Sequence, residues 1–215
     1  MSNEENLENK ILRRMYVTSY TRFEASKRLK KINFMSFIST TIASLGLILI
    51  PLLDLSKVNQ SFDDTTLTCF QLFLAVSVLV YSSSISTANY QIRAKEFLDC
   101  ADRIKNLITI LEVKILKKEE INFLEIESEY RAILNHSENH EDIDYIKGEA
   151  LYTKAINKGL NRDQKHETKK TLWKFWTHTK DKIKIYSPFL CLMILEMSFI
   201  LDMTGTKILR FLHHA

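Results

Sequence analysis

The chain has 215 residues with only 4 glycines and 2 prolines, a composition that favours helices and leaves little material for the turns of a β-rich fold. Its 3 cysteines, Cys69, Cys100 and Cys191, show no CxxC spacing and lie in or beside apolar runs, so no disulfide framework is expected and all three read as small buried apolar residues. The net charge of +4 is mild, and its placement says more than its size.

From Asn6 to Lys31 the pattern reads as one helix, with Ile11, Met15, Phe23 and Leu29 as apolar positions among charges. It turns basic towards its end, at Arg22, Lys27, Arg28, Lys30 and Lys31. Two apolar runs follow, uncharged from Asn33 to Leu53 and from Thr65 to Ile92. Each exceeds the roughly 20 residues that a helix needs to cross a bilayer core. The connecting loop carries Asp54, Asp63 and Asp64 against Lys57. Basic residues near the end of a span stay on the cytoplasmic side, so the N-terminus is expected inside and the acidic loop outside. The first run begins about thirty residues in and lacks a cleavage pattern, so it is expected to remain as an anchor.

Beyond Arg93 no glycine or proline occurs until Gly148, and the second span is expected to continue as a long cytoplasmic stalk. Its apolar seam is Phe97, Ala101, Ile104, Ile108, Leu111 and Ile115, at the spacing of paired helices. Phe123, Ile126, Tyr130 and Ile133 predict an amphipathic helix folded back along that stalk. The polar stretch HSENHEDIDY reads as a loop, followed by a helix over about Ile146 to Leu160 and a lysine-rich link from Lys165 to Lys184. The last apolar run, residues 185–203, contains Glu196 and Asp202; a third span, a re-entrant segment and an interface-lying helix remain open for it. The expected architecture is an all-α membrane protein. It divides into an N-terminal basic amphipathic helix (1–31), a two-span transmembrane hairpin (32–92), a cytoplasmic helical region (93–184) and a C-terminal apolar helix (185–215) that spans or associates with the membrane.

On a helical wheel Gln71, Ala75, Val78, Ser82, Asn89 and Arg93 form one stripe on the second span, with Ser86 on its shoulder. Either copies of this helix assemble around a polar pathway with Arg93 at its cytoplasmic mouth, or the small and hydroxylated residues serve close helix packing. Ser36, Ser39, Ala43 and Gly46 on the first span suit packing against the second. His136 and His140 have a spacing that would suit a metal, but they lack the flanks of a zinc motif and read as part of a solvated turn. His213 and His214 read as exposed terminal residues. Trp173 and Trp176, beside Lys170 and Lys174, could stack on nucleic-acid bases or sit at headgroup depth, and the interfacial belt is the favoured reading. Phosphate loop, GxSxG and HExxH motifs are all missing, so no enzyme, cofactor or metal is expected.

A basic helix with Tyr20, Arg22, Arg28 and Leu29, a two-span hairpin, and Tyr90-Gln91-Ile92-Arg93-Ala94 opening a long helix together resemble the SLATT family. These are two-span effector domains associated with bacterial nucleotide-signalling and anti-phage systems. Tyr130-Arg131-Ala132-Ile133-Leu134, Glu138-Asn139-His140 and Asp144-Tyr145 resemble the subtype found beside retron-type reverse transcriptases. The resemblance implies a multi-pass protein of the bacterial inner membrane, silent until infection, that damages the membrane and causes abortive infection. Its implied partners are the lipid bilayer, further copies of itself, and a retron-type reverse transcriptase with its RNA and DNA or another defence-system sensor. The alternative is a membrane anchor or scaffold in which the lysine-rich link holds such a partner by its phosphates.

Overall fold

Helix α1 (Asn3–Leu55) is a single 53-residue element, so the charged N-terminal segment and the first apolar run form one continuous helix. It ends one turn after Pro51, whose ring removes a backbone hydrogen bond. The computed structural model describes residues 3–56, 62–157 and 190–203, Leu192 excepted. Lys57, the Lys165–Lys184 link with Trp173 and Trp176, and His213 and His214 lie outside the described residues.

Helix α2 (Asp64–Ala88) starts on an N-cap, the Asp63 carboxylate accepting from the Thr66 N–H at 3.3 Å. It stops at Asn89, which adopts a left-handed conformation with φ 47°, and α3 (Tyr90–Lys117) begins at the next residue. The passage from span to stalk is therefore broken by one residue rather than continuous. Asn tolerates that conformation better than most residues with a side chain. Helix α4 (Phe123–Asn135) is capped by the Asn122 side chain, which accepts from the N–H groups of Leu124 and Glu125. Helix α5 (Asp142–Asn157) starts four residues before Ile146. The cause is local: the Asp144 carboxylate reaches back to accept from the Glu141 N–H at 3.3 Å, half of a capping box. A last helix, α6 (190–203), completes an all-α fold with no strand among the described residues.

The helices form two compact units. The first comprises Met1–Lys30 and Tyr90–Thr179. Its core joins Ile11 and Met15 of α1, Cys100, Ile104, Leu107, Ile108 and Leu111 of α3, and Ile126 and Tyr130 of α4. Phe97 and Ala101 are also buried, and Ile115 packs at the edge. Thus the occupants of the stalk seam come from the same chain. Two serines, Ser26 buried and Ser19 half-buried, let α1 and α3 approach closely: Ser26 Oγ donates to the Ala94 carbonyl at 2.6 Å and Ser19 Oγ to that of Ala101 at 3.2 Å.

The second unit comprises Lys31–Asn89 and Lys180–Ala215. Ala43, Ile50, Phe62, Leu67, Leu74, Phe199 and Met203 form its core, and the Phe199 ring stacks on Phe62 and Phe70 with centroids 4.6 and 3.7 Å apart. The small-residue side of α1 meets α6, since Ser39 Oγ lies 3.4 Å from Met193 Sδ and Gly46 abuts Glu196. Sequence reasoning had assigned that side to the second span. Of the three cysteines Cys100 is buried, whereas Cys69 and Cys191 are exposed, the reverse of the expectation for those two.

Only 28% of the most apolar stretch of α1 and 6% of that of the α2–α3 stretch are buried within the chain. A soluble protein covers its apolar helices; here Phe34, Phe37, Ile48, Leu72, Val76 and Leu79 all point outward. These are two helices long and apolar enough to span a membrane, and among the described residues most of their apolar surface is left uncovered.

Candidate functional site

The outward side of α2 changes character along its length. Leu67 and Leu74 are buried, with Phe70, Val78 and Tyr81 packed beside them. Next to this buried side runs the stripe, with Gln71 half-buried and Ala75, Ser82, Ser86 and Asn89 exposed. Ser83, Ser84 and Thr87 are exposed on other sides of the same turns. Thr87 Oγ1 is satisfied by its own helix, donating to the carbonyls of Ser83 and Ser84. Packing among the described residues does not account for an exposed row of hydroxyls on an apolar helix. In a bilayer such a row gains by meeting another helix or water.

Two of the stripe residues have structural duties as well. Asn89 makes the left-handed break after α2. Arg93 is ion-paired, its guanidinium 2.8 Å from the Glu138 carboxylate.

Arg93 is one of three arginines, two from α1 and one from α3, that converge on residues 138–144. Arg22, only 3% exposed, donates to the Glu138 carbonyl and lies over the Phe97 ring at 5.4 Å. Arg28 clasps the fully buried Asp144 through two nitrogens, at 2.9 and 3.0 Å, and reaches Glu141 at 2.8 Å. Burial alone would lower the Arg28 pKa, but the hydrogen bonds and charges of Asp144 and Glu141 outweigh it and raise the value. Residues that sequence reasoning took for a solvated turn are thus pinned in place. His140 stacks on Tyr145, and its Nδ1 is buried without a hydrogen-bond partner. Burial and then the Arg22 charge push its pKa down, which keeps the ring neutral at physiological pH.

His136 instead C-caps α4 and lines an open cavity of about 320 Å³ with Glu96, Asp99, Cys100, Arg103 and Ile133. The two histidines are therefore not presented together from one helix. Among the described residues no group of three or more His, Cys, Asp or Glu side chains is placed to hold a metal.

Sequence reasoning missed this clamp because it took Arg22 and Arg28 as charges flanking a span and as marks of the family resemblance, without giving them a partner. Their signal was the equal concentration of acid in the stretch from Glu138 to Asp144.

Comparison with curated proteins and with solved structures returned no match. Comparison with protein families matched the chain to a family of two-span effector domains, from residue 4 to residue 202. Both the two uncovered apolar helices and the helices clamped around residues 138–144 fall inside that span, and the chain belongs to the SMODS and SLOG-associating 2TM effector domain family 5.

Proposed function

We propose that this chain is the membrane effector of a bacterial anti-phage defence system, assembling through α2 in the inner membrane and permeabilising it so that the infected cell dies. The observation that carries this reading is the exposed row Ala75, Ser82, Ser86 and Asn89 on a helix that the chain leaves almost uncovered. Assembly rests on α2 alone, because the seam of α3 is consumed in the chain's own core. The trigger comes from a defence-system partner, the family's description naming association with SMODS and SLOG, and in the narrower form of the proposal that partner is a retron-type reverse transcriptase complex.

Membrane potential and dye entry in a bacterium expressing the protein alone test the proposal. Wild type depolarises the membrane, and Ser82→Leu combined with Ser86→Leu abolishes the effect at an unchanged membrane level. Persistent depolarisation in that variant removes the stripe from any pathway; intact membranes with wild type at high level point to an anchor instead. Asn89 is left unaltered because a leucine there would add a backbone cost of about 1–2 kcal/mol in the left-handed conformation.

Orientation follows from charge, with Arg22, Lys27, Arg28, Lys30 and Lys31 before the first span held in the cytoplasm. Alkaline phosphatase, active only outside the cytoplasm, is expected to be active when fused after Ser56 and inactive when fused after Lys117. The opposite pattern inverts the assignment.

A further inference from the structure

Glu196 is the feature of the second unit that neither packing nor the proposed pathway uses. It is fully buried, and both carboxylate oxygens lack a hydrogen-bond partner among the described residues. The carboxyl rests where a side chain on Gly46 would be, and a Cβ there would overlap it. Gly46 lies well inside the uncharged run from Asn33 to Leu53, so the carboxyl sits at apolar depth.

The groups around it are easily named. On α1 the buried side is Ser36, Ser39, Ala43, Gly46 and Ile50, with Asp54 beyond it. On α2 the packed side is Leu67, Phe70, Leu74, Val78 and Tyr81, with Asp63 and Asp64 at its start. On α6 itself Asp202 is buried and Cys191 exposed. Among the described residues of this unit the one basic side chain is Lys31, fifteen positions before Gly46. At 1.5 Å per residue that is roughly 22 Å along the helix, too far to neutralise the carboxyl.

Direction matters as much as burial. Met193 meets Ser39, Glu196 meets Gly46, and Phe199 stacks on Phe62 and Phe70, so α6 advances along α1 in the same sense. A helix that runs beside a membrane span over this length shares its environment.

From this arrangement we infer that α6 is a third intramembrane helix, parallel to α1, and that Glu196 on its Gly46 seat is a binding site for a small monovalent cation, the proton included. An ionisable group at this depth is costly unless its charge is met, and a proton or a small monovalent cation held on the carboxylate would meet it. The inference rests on the membrane placement of the hairpin and not on permeabilisation.

Dicyclohexylcarbodiimide, which adds to protonated carboxyls in apolar surroundings, is the probe. Membrane vesicles carrying the full chain are treated with it and the modified residue is mapped by mass spectrometry. The expected result is modification of Glu196 in wild type and its loss in Glu196→Gln. Protection by sodium or potassium at fixed pH and ionic strength identifies a metal cation. Insensitivity to both, with labelling that falls as pH is raised, identifies the proton. A second measurement locates the helix: with the native cysteines replaced by serine, Ser39→Cys and Met193→Cys are expected to form a disulfide on oxidation. Failure of that crosslink, or a crosslinked helix whose Glu196 never reacts with the carbodiimide, overturns the inference. Vesicles that label at Glu196 but do not leak would sink the permeabilisation reading alone.

Discussion

Asp144→Ala is expected to destabilise the first unit by about 3–5 kcal/mol, because it leaves the Arg28 guanidinium buried without its main counter-charge. The Arg28 side chain is only 9% exposed, so water cannot take over the lost bonds, and Glu141 at 2.8 Å supplies a single compensating contact from an exposed position. The same substitution removes the acceptor for the Glu141 N–H and with it the start of α5. In detergent-solubilised full-length protein the thermal midpoint is expected to fall by about 10 °C. Arg28→Met combined with Asp144→Leu is expected to recover much of that loss, since an ion pair replaced whole by apolar groups leaves no charge unpaired. A single variant that melts with wild type would mean that the clamp contributes nothing to stability.

The membrane hairpin was legible in the sequence because the absence of charge over twenty or more residues is a local property, visible without knowing any contact. Helix faces were legible for the same reason: the three- and four-residue spacing of Phe97, Ala101, Ile104, Ile108 and Leu111 shows that one side of α3 is covered. Spacing cannot say what covers it. Ile11 and Met15, about ninety positions away, do so together with Ile126 and Tyr130, and a second copy of the chain would have left the same pattern. Arg22 and Arg28 were misjudged in a related way, since charge counting assigns every basic residue before a span to the same duty. The difference between Lys30, exposed, and Arg28, clasping Asp144, exists only in three dimensions. Asn89 shows the limit from the other side. A search for glycine and proline passes over it, yet it breaks the helix at the junction of α2 and α3.

The role of the α6 carboxyl was half-visible. Glu196 and Asp202 inside an apolar run announce a cost, and Gly46 announces space, but their sequence separation hides that the space is for the carboxyl. Sequence reasoning gave that glycine to helix packing against the second span. Close approach is indeed its purpose, with a different partner and a polar one.

Gly148 uses the same device in the first unit, and there substitution is expected to be more damaging. A Cβ on Gly148 would lie 2.6 Å from the Thr21 backbone nitrogen and 2.8 Å from its Cα, so α5 crosses α1 with backbone almost against backbone. A flexible side-chain end could move aside, as the Glu196 carboxyl could for Gly46; the backbone of a continuous helix cannot. Thr21 is itself fully buried, and its hydroxyl is committed to the Val17 carbonyl at 2.8 Å. Gly148→Ala therefore has to push α5 off α1, and that movement would also pull Asp144, one turn earlier on α5, away from Arg28. Overpacking a tight contact typically costs about 1–3 kcal/mol, and weakening the clamp adds to it, so a total of about 3 kcal/mol or more is expected. The intrinsic helix preference of alanine over glycine, about 1 kcal/mol, works in the opposite direction. Protease susceptibility of α5 in the membrane-embedded full chain decides between these effects. Faster cleavage in Gly148→Ala, with no further acceleration when Asp144→Ala is added, would show that one contact positions the other, whereas slower cleavage would mean that helix propensity outweighs the clash and that α5 does not need so close an approach.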